Sequence, residues 1–127
     1  MRQTSLRKKR KYKHKTPYEQ AHEKAWQVFS RWVRLRDPRC ITCGEPSENA
    51  GHFRHNCLDF DEQNINGQCV RCNKWLSGNL AVYATYLVRK YGSKVLDQID
   101  KKRSKMYSLE ELQIIIKKYA LLQVVSK

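Results

Sequence analysis

Acidic residues are scarce in this sequence: 12 Asp and Glu stand against 26 Lys and Arg in 127 residues, a formal charge of +14. So basic a chain calls for a polyanionic partner, and nucleic acid is the commonest one. An acidic membrane surface is a weaker alternative, because the basic segment that would meet it is not amphipathic. Long apolar runs are also missing, so nothing in the sequence reads as a membrane-spanning helix. The N-terminus is basic but has no apolar segment of the kind a secretory signal needs. A reducing, cytoplasmic setting is therefore expected, in which paired cysteines bind metal rather than form disulfides.

Residues 1–15 hold eight Lys and Arg and no acid. They read either as a solvated tail or as a flexible arm that grips phosphates through Arg7, Lys8, Lys9, Arg10, Lys11, Lys13 and Lys15, and the second reading suits the charge of the whole chain. Residues 16–127 are the length of one domain. A helix is predicted over 16–37, with Thr16 as N-cap, Pro17 in the first turn and Glu19 completing a capping box. Tyr18, Ala21, Ala25, Val28, Phe29, Trp32 and Val33 share its apolar face, and Trp26 lies at the edge of that stripe. Asp37-Pro38 ends it.

Residues 38–78 are loop-rich, with only GHFRH and NGQCV as short extended candidates. The remainder, 79–127, reads as helical: one helix over about 78–91 closed by Gly92, a shorter one over SKVLDQIDKKRSK, and a last one capped by Ser108 with Glu111. The last helix is apolar on more than one side, since Ile114, Leu121, Val124 and Val125 widen the face formed by Leu112, Ile115, Ile116 and Tyr119. Such a helix is either central to the core or part of a subunit interface, and a homodimer is expected on the second reading.

Of five cysteines, four form two C-x-x-C pairs, Cys40/Cys43 and Cys69/Cys72. A C-x-x-C turn presents two sulfurs at the separation that tetrahedral zinc needs, and Gly44 fits the turn after the first pair. The spacing predicts a structural four-cysteine Zn²⁺ with no open position for catalysis. Cys57 falls outside the pattern and reads as a free thiol.

Between the pairs lie AGHFRH, with His52, and FDEQNINGQCVRCNK, with Asn64 and Asn73; LSGNLAVYATYLVRKYG follows. A histidine between two C-x-x-C pairs, an asparagine five residues before the second and another directly after it resembles the HNH, or ββα-metal, nucleases. The ordered set CITCG, AGHF, N-I-x-x-Q-C-x-x-C-N and SGNL is similar, more narrowly, to the phage NinG/Rap recombination family.

The resemblance implies an α+β, mostly helical fold in which a small zinc-stapled ββα-metal module is flanked by helices. It implies a Mg²⁺-dependent endonuclease, with Mn²⁺ able to substitute, that cuts branched intermediates such as Holliday junctions and D-loops in the cytoplasm of a bacterial host. His52 would be the general base, Asn64 would fix its loop, and Asn73 would be a metal ligand. Many such nucleases carry an acid directly before the histidine, where this chain has Gly51. The missing carboxylate falls to Asp59, Asp61 or Glu62, with Glu62 the first choice because an acid there fits the family pattern. Arg54, His55 and Lys74 are candidate DNA contacts, and His55 is alternatively a second ligand or an exposed bystander. The competing reading is a non-catalytic zinc module that binds DNA structure, for which Gly51 is the best support.

Overall fold

The structure, a computed structural model, describes residues 14–55, 58–102 and 105–125. Arg7, Lys8, Lys9, Arg10, Lys11, Lys13 and Cys57, singled out above, lie outside the described residues. Helix α1 spans Pro17–Arg36, and the Thr16 hydroxyl accepts the Glu19 N–H at 3.1 Å, as its cap sequence requires. Asp37 ends it ahead of Pro38. Strands β1 (Asn49–His52) and β2 (Ile65–Gln68) then pair antiparallel, Asn49 opposite Gln68 and His52 opposite Ile65. A π-helical turn, Arg71–Trp75, leads to α2 (Leu80–Tyr91), α3 (Val95–Lys101) and α4 (Leu109–Val125). The fold is mostly helical α+β with one small two-stranded sheet.

Two apolar clusters meet at the hairpin. Ala25, Phe29 and Val33 of α1 bury Leu112 and Tyr119 of α4 together with Phe60 and Ile65. Tyr83 and Leu87 of α2 and Val95 and Ile99 of α3 enclose Phe53 and Leu58. The sheet therefore feeds one side of each cluster, Ile65 into the first and Phe53, just past β1, into the second.

Three expectations change in detail. The extended segments are shorter than GHFRH and NGQCV, because the chain turns away after His52 and Cys69 leaves the strand to place its sulfur. Helix α2 begins at Leu80 rather than near 78, since Ser77, Gly78 and Asn79 hold φ of +50°, +87° and +50°, outside the helical region. Helix α4 is not a central core helix: Ile114, Leu121, Val124 and Val125 remain 64% to 72% exposed.

The end of α1 is tied to the sheet through Asp37. Arg36 grips its carboxylate with two donors at 2.9 and 2.7 Å, and the Gly67 N–H donates to it at 2.9 Å. The same guanidinium donates to the Ile65 carbonyl, while Lys90 of α2 reaches both Asp37 and Asn66. Burial works to raise the Asp37 pKa, but the Arg36 and Gly67 hydrogen bonds, with Lys90 nearby, hold it below the usual carboxylate range. A depressed carboxylate contributes stability above its unfolded pKa of about 3.9 and loses it as pH falls through the folded value. Asp37→Ala should thus cost about 2–4 kcal/mol in urea unfolding at neutral pH, from stranded partners. The gap to wild type should narrow in acid; a gap that does not change with pH would contradict the ionic tie.

Candidate functional site

The two cysteine pairs come together at one end of the hairpin. Turn 40–43 is closed by the Gly44 N–H on the Cys40 carbonyl at 2.9 Å, and Gly44 takes φ of +80°, which glycine adopts without strain. The Ile41 N–H donates to the Gly67 carbonyl at 2.9 Å and so fastens this turn to β2. Cys69 and Cys72 sit where β2 passes into the π-turn, and the Cys72 N–H points at the Cys69 sulfur at 3.4 Å. All four sulfurs lie within 4.8 Å of one another, as free thiols. Zinc–sulfur bonds of about 2.3 Å place tetrahedral ligands about 3.8 Å apart; Cys43 and Cys69 are at 3.5 Å, so the donor set fits one Zn²⁺. Burial opposes ionisation of Cys40, but hydrogen bonds from Thr42 and from nearby backbone N–H groups bring its thiol down to about 6. A thiolate is the form a metal takes.

His52 is the last residue of β1. Its Nε2 meets Asp59 Oδ1 at 3.0 Å, and the other oxygen of Asp59 meets Nε2 of His22, from α1, at 2.9 Å. The hydrogen bond from His52 lowers the Asp59 pKa, burial opposes it, and the bond from His22 adds to the lowering. An ionised carboxylate only accepts, so both Nε2 atoms carry the proton and Nδ1 is the bare nitrogen of each neutral ring. The Trp26 indole stacks on the His52 ring at 5.0 Å and 24°, and His55 lies nearly parallel to it at 5.9 Å.

Asn64, wholly buried, holds the loop that starts at His52. Its side chain accepts from the Arg54 N–H at 2.8 Å and donates to the Arg54 and Leu58 carbonyls, while its own carbonyl accepts from Phe53. The three candidate carboxylates part company here. Asp61 accepts from the backbone of Gln63 and Asn64 and pairs with Lys102 at 2.7 Å. Glu62, the first choice on sequence, accepts from the Tyr119 hydroxyl of α4 at 2.7 Å. Asp59 is the acid brought to His52.

The Gly51 position is closed to an acid. A Cβ there would stand 2.0 Å from Gln68 Oε1 and 3.1 Å from Asn73 Oδ1. Gln68 is wholly buried, its amide N–H groups bonded to Thr42 and the Gly78 carbonyl, and its Oε1 has no partner. The two amide side chains fill the volume an aspartate would need. Of the candidate DNA contacts, Arg54 is paired with Asp100 and stacked on Phe53, Lys15 is paired with Glu23, and His55 and Lys74 are exposed.

His22 is a site residue that no motif in the sequence singles out, and Trp26, open on sequence between core packing and base stacking, packs on His52. The signal available is their spacing: they are four apart, hence on one face of α1.

The model of the family described as Bacteriophage Lambda NinG protein matches residues 1–126. The chain belongs to the NinG family. It is 36% identical over 107 residues to protein ninG of Escherichia phage 933W, covering 76% of this chain and 53% of that protein. Against protein ninG of Salmonella phage P22 the identity is 37% over 108 residues, with 76% and 53% covered. For the Escherichia phage lambda protein it is 34% over 107 residues, with 76% and 52% covered. The chain thus spans about half the length of the curated relatives it matches. No solved structure matches it.

If the cluster is a zinc site, elemental analysis should give one zinc per chain, and its thiols should resist Ellman's reagent until the metal is chelated. Because binding free energy is folding free energy at such a site, Cys72→Ser should lose the metal and the cooperative melt together. Native protein whose clustered thiols react freely, with no metal present, would contradict this.

Proposed function

We propose that this chain is a structure-specific DNA endonuclease of the HNH, ββα-metal kind, cleaving branched recombination intermediates such as Holliday junctions and D-loops. The observation that carries the reading is His52 at the end of β1 with its Nε2 3.0 Å from Asp59 Oδ1, a pairing that in the neutral ring leaves Nδ1 bare. A bare imidazole nitrogen with a carboxylate behind it is the arrangement of a general base whose partner stabilises the imidazolium it becomes. In the proposed step Nδ1 takes a proton from water as its oxygen attacks phosphorus. The bond to the 3′ oxygen breaks, that oxygen takes a proton from solvent to leave as a hydroxyl, and His52 later returns its own proton to solvent. Asn64 holds the loop whose Asp59 end orients the ring. The net charge of +14 suits a DNA partner.

Mg²⁺, with Mn²⁺ as a substitute, belongs to the family expectation. The described residues do not form such a site by themselves. Mg²⁺ is usually held by one or two carboxylates plus waters and substrate phosphates. Here Asp61 and Glu62 are engaged elsewhere, both oxygens of Asp59 face imidazoles, and the pocket at Gly51 holds two neutral amides. The exposed apolar side of α4 supports pairing of two copies, which two cuts across a junction would use.

The amide-filled pocket at Gly51 also favours a second reading, a zinc module that binds branched DNA without cutting it. One assay separates the two. On a synthetic four-way junction with Mg²⁺, wild type should cut, His52→Ala should not, and Asp59→Asn should fall about 10²- to 10⁴-fold, all with binding retained. Wild type that binds and never cuts in Mg²⁺ or Mn²⁺ favours the second reading, and an active His52→Ala removes the assigned base.

A further inference from the structure

Trp75 closes the π-turn and is 75% exposed, the largest apolar side chain so far open to water among the described residues. The other two tryptophans are packed, Trp26 on His52 and Trp32 against Phe29 and Tyr119. Among the described residues, no hydrogen bond or ring contact engages the Trp75 side chain. An indole held out this way presents an open π-face for stacking.

The backbone beneath it is not a slack loop. The Leu76 N–H reaches back to the Arg71 carbonyl at 2.9 Å, and the Gly78 N–H bonds the carbonyl of Cys72, inside the cysteine cluster, at 2.9 Å. Ser77, Gly78 and Asn79 follow in left-handed conformations, two of them strained because they carry side chains. The buried Gln68 amide fastens the Gly78 carbonyl at 3.0 Å. A side chain on Gly78 would stand 4.0 Å from the His52 carbonyl, so this turn abuts the strand end that carries His52. Inserted π-turns of this kind recur at functional sites.

The segment that carries it is cationic in sequence. No Asp or Glu occurs between Glu62 and Asp97, a stretch that holds Arg71, Lys74, Arg89, Lys90 and Lys94. Arg71 and Lys74, within the turn itself, are exposed and in no ion pair among the described residues. An open indole in the same turn as two exposed cations has the chemistry of a base-stacking platform with grips for nearby phosphates. Stacking needs a base whose face is open, which duplex DNA does not offer and a branch point or single strand does.

We propose that Trp75 stacks on an unpaired nucleobase, with Arg71 and Lys74 holding the phosphates on either side. This rests on the reading that DNA is the partner, but not on the chain cutting it. The test is fluorescence anisotropy of the full chain, at one fixed salt concentration, with labelled oligo-dT, a four-way junction with unpaired bases at its centre, and a matched linear duplex. Trp75→Ala should weaken binding to the first two roughly 5- to 150-fold, the range expected for one stacked base, and to the duplex by less than about twofold. Trp75→Phe should recover most of the loss, and unchanged zinc content and circular dichroism exclude misfolding. Equal affinities of Trp75→Ala and wild type on every substrate, or an equal loss on all three, would overturn the stacking role alone. Wild type that binds none of the three would overturn the DNA reading beneath it.

Discussion

Four cysteine sulfurs confined within 4.8 Å of one another are the constraint on which the rest of the molecule depends. Thiolates so close would repel one another unless a cation sat between them, and a zinc ion would supply that charge with the right geometry. A two-stranded sheet of four residues a side is marginal in water by itself. Here one end of β2 is fixed twice to the same cluster: turn 40–43 reaches it through Ile41 and Gly67, and Cys69 and Cys72 follow directly from the strand. Register follows from this, and register decides which way His52 points.

Around that staple, polar side chains do what apolar ones cannot in a loop-rich region. Asp37 joins α1 to β2, Asn64 closes the loop after His52, and the Tyr83 hydroxyl donates to the Gly51 carbonyl at 2.7 Å while accepting from Asn66. Each is buried or nearly so, and each satisfies backbone groups that no ladder reaches. The histidine site then borrows from three separated segments. His52 comes from the sheet, Asp59 from the loop Asn64 holds, and His22 with Trp26 from the first helix. A carboxylate between two imidazoles fixes both rings by one shared acceptor.

Local signals made much of this legible. The limits of α1 follow from Thr16 and Pro38, the cap of α4 from Ser108, and the cluster from C-x-x-C spacing, because each depends on residues within a few positions. What could not be read depends on distant contacts. On paper only the family pattern separates Glu62 from Asp59 and Asp61, and their actual roles are set by Tyr119, His52 and Lys102, brought in by three different elements. Gly51 reads as a missing acid until Gln68 and Asn73 are seen to occupy its space. The apolar excess of α4 was visible, but the side left uncovered depends on how it lies on α1. The three left-handed residues after Trp75 have one glycine among them, too weak a cue to shift the start of α2.

The most direct measurement is the protonation pattern of the His52 ring in the zinc-loaded chain, read by long-range nitrogen–proton NMR at neutral pH. With Asp59 as its acceptor, the neutral ring should carry its proton on Nε2 and leave Nδ1 bare, and Asp59→Asn should shift that balance toward the other nitrogen. A wild-type ring protonated on Nδ1, or one indifferent to Asp59→Asn, would contradict the clamp and with it the site built around His52.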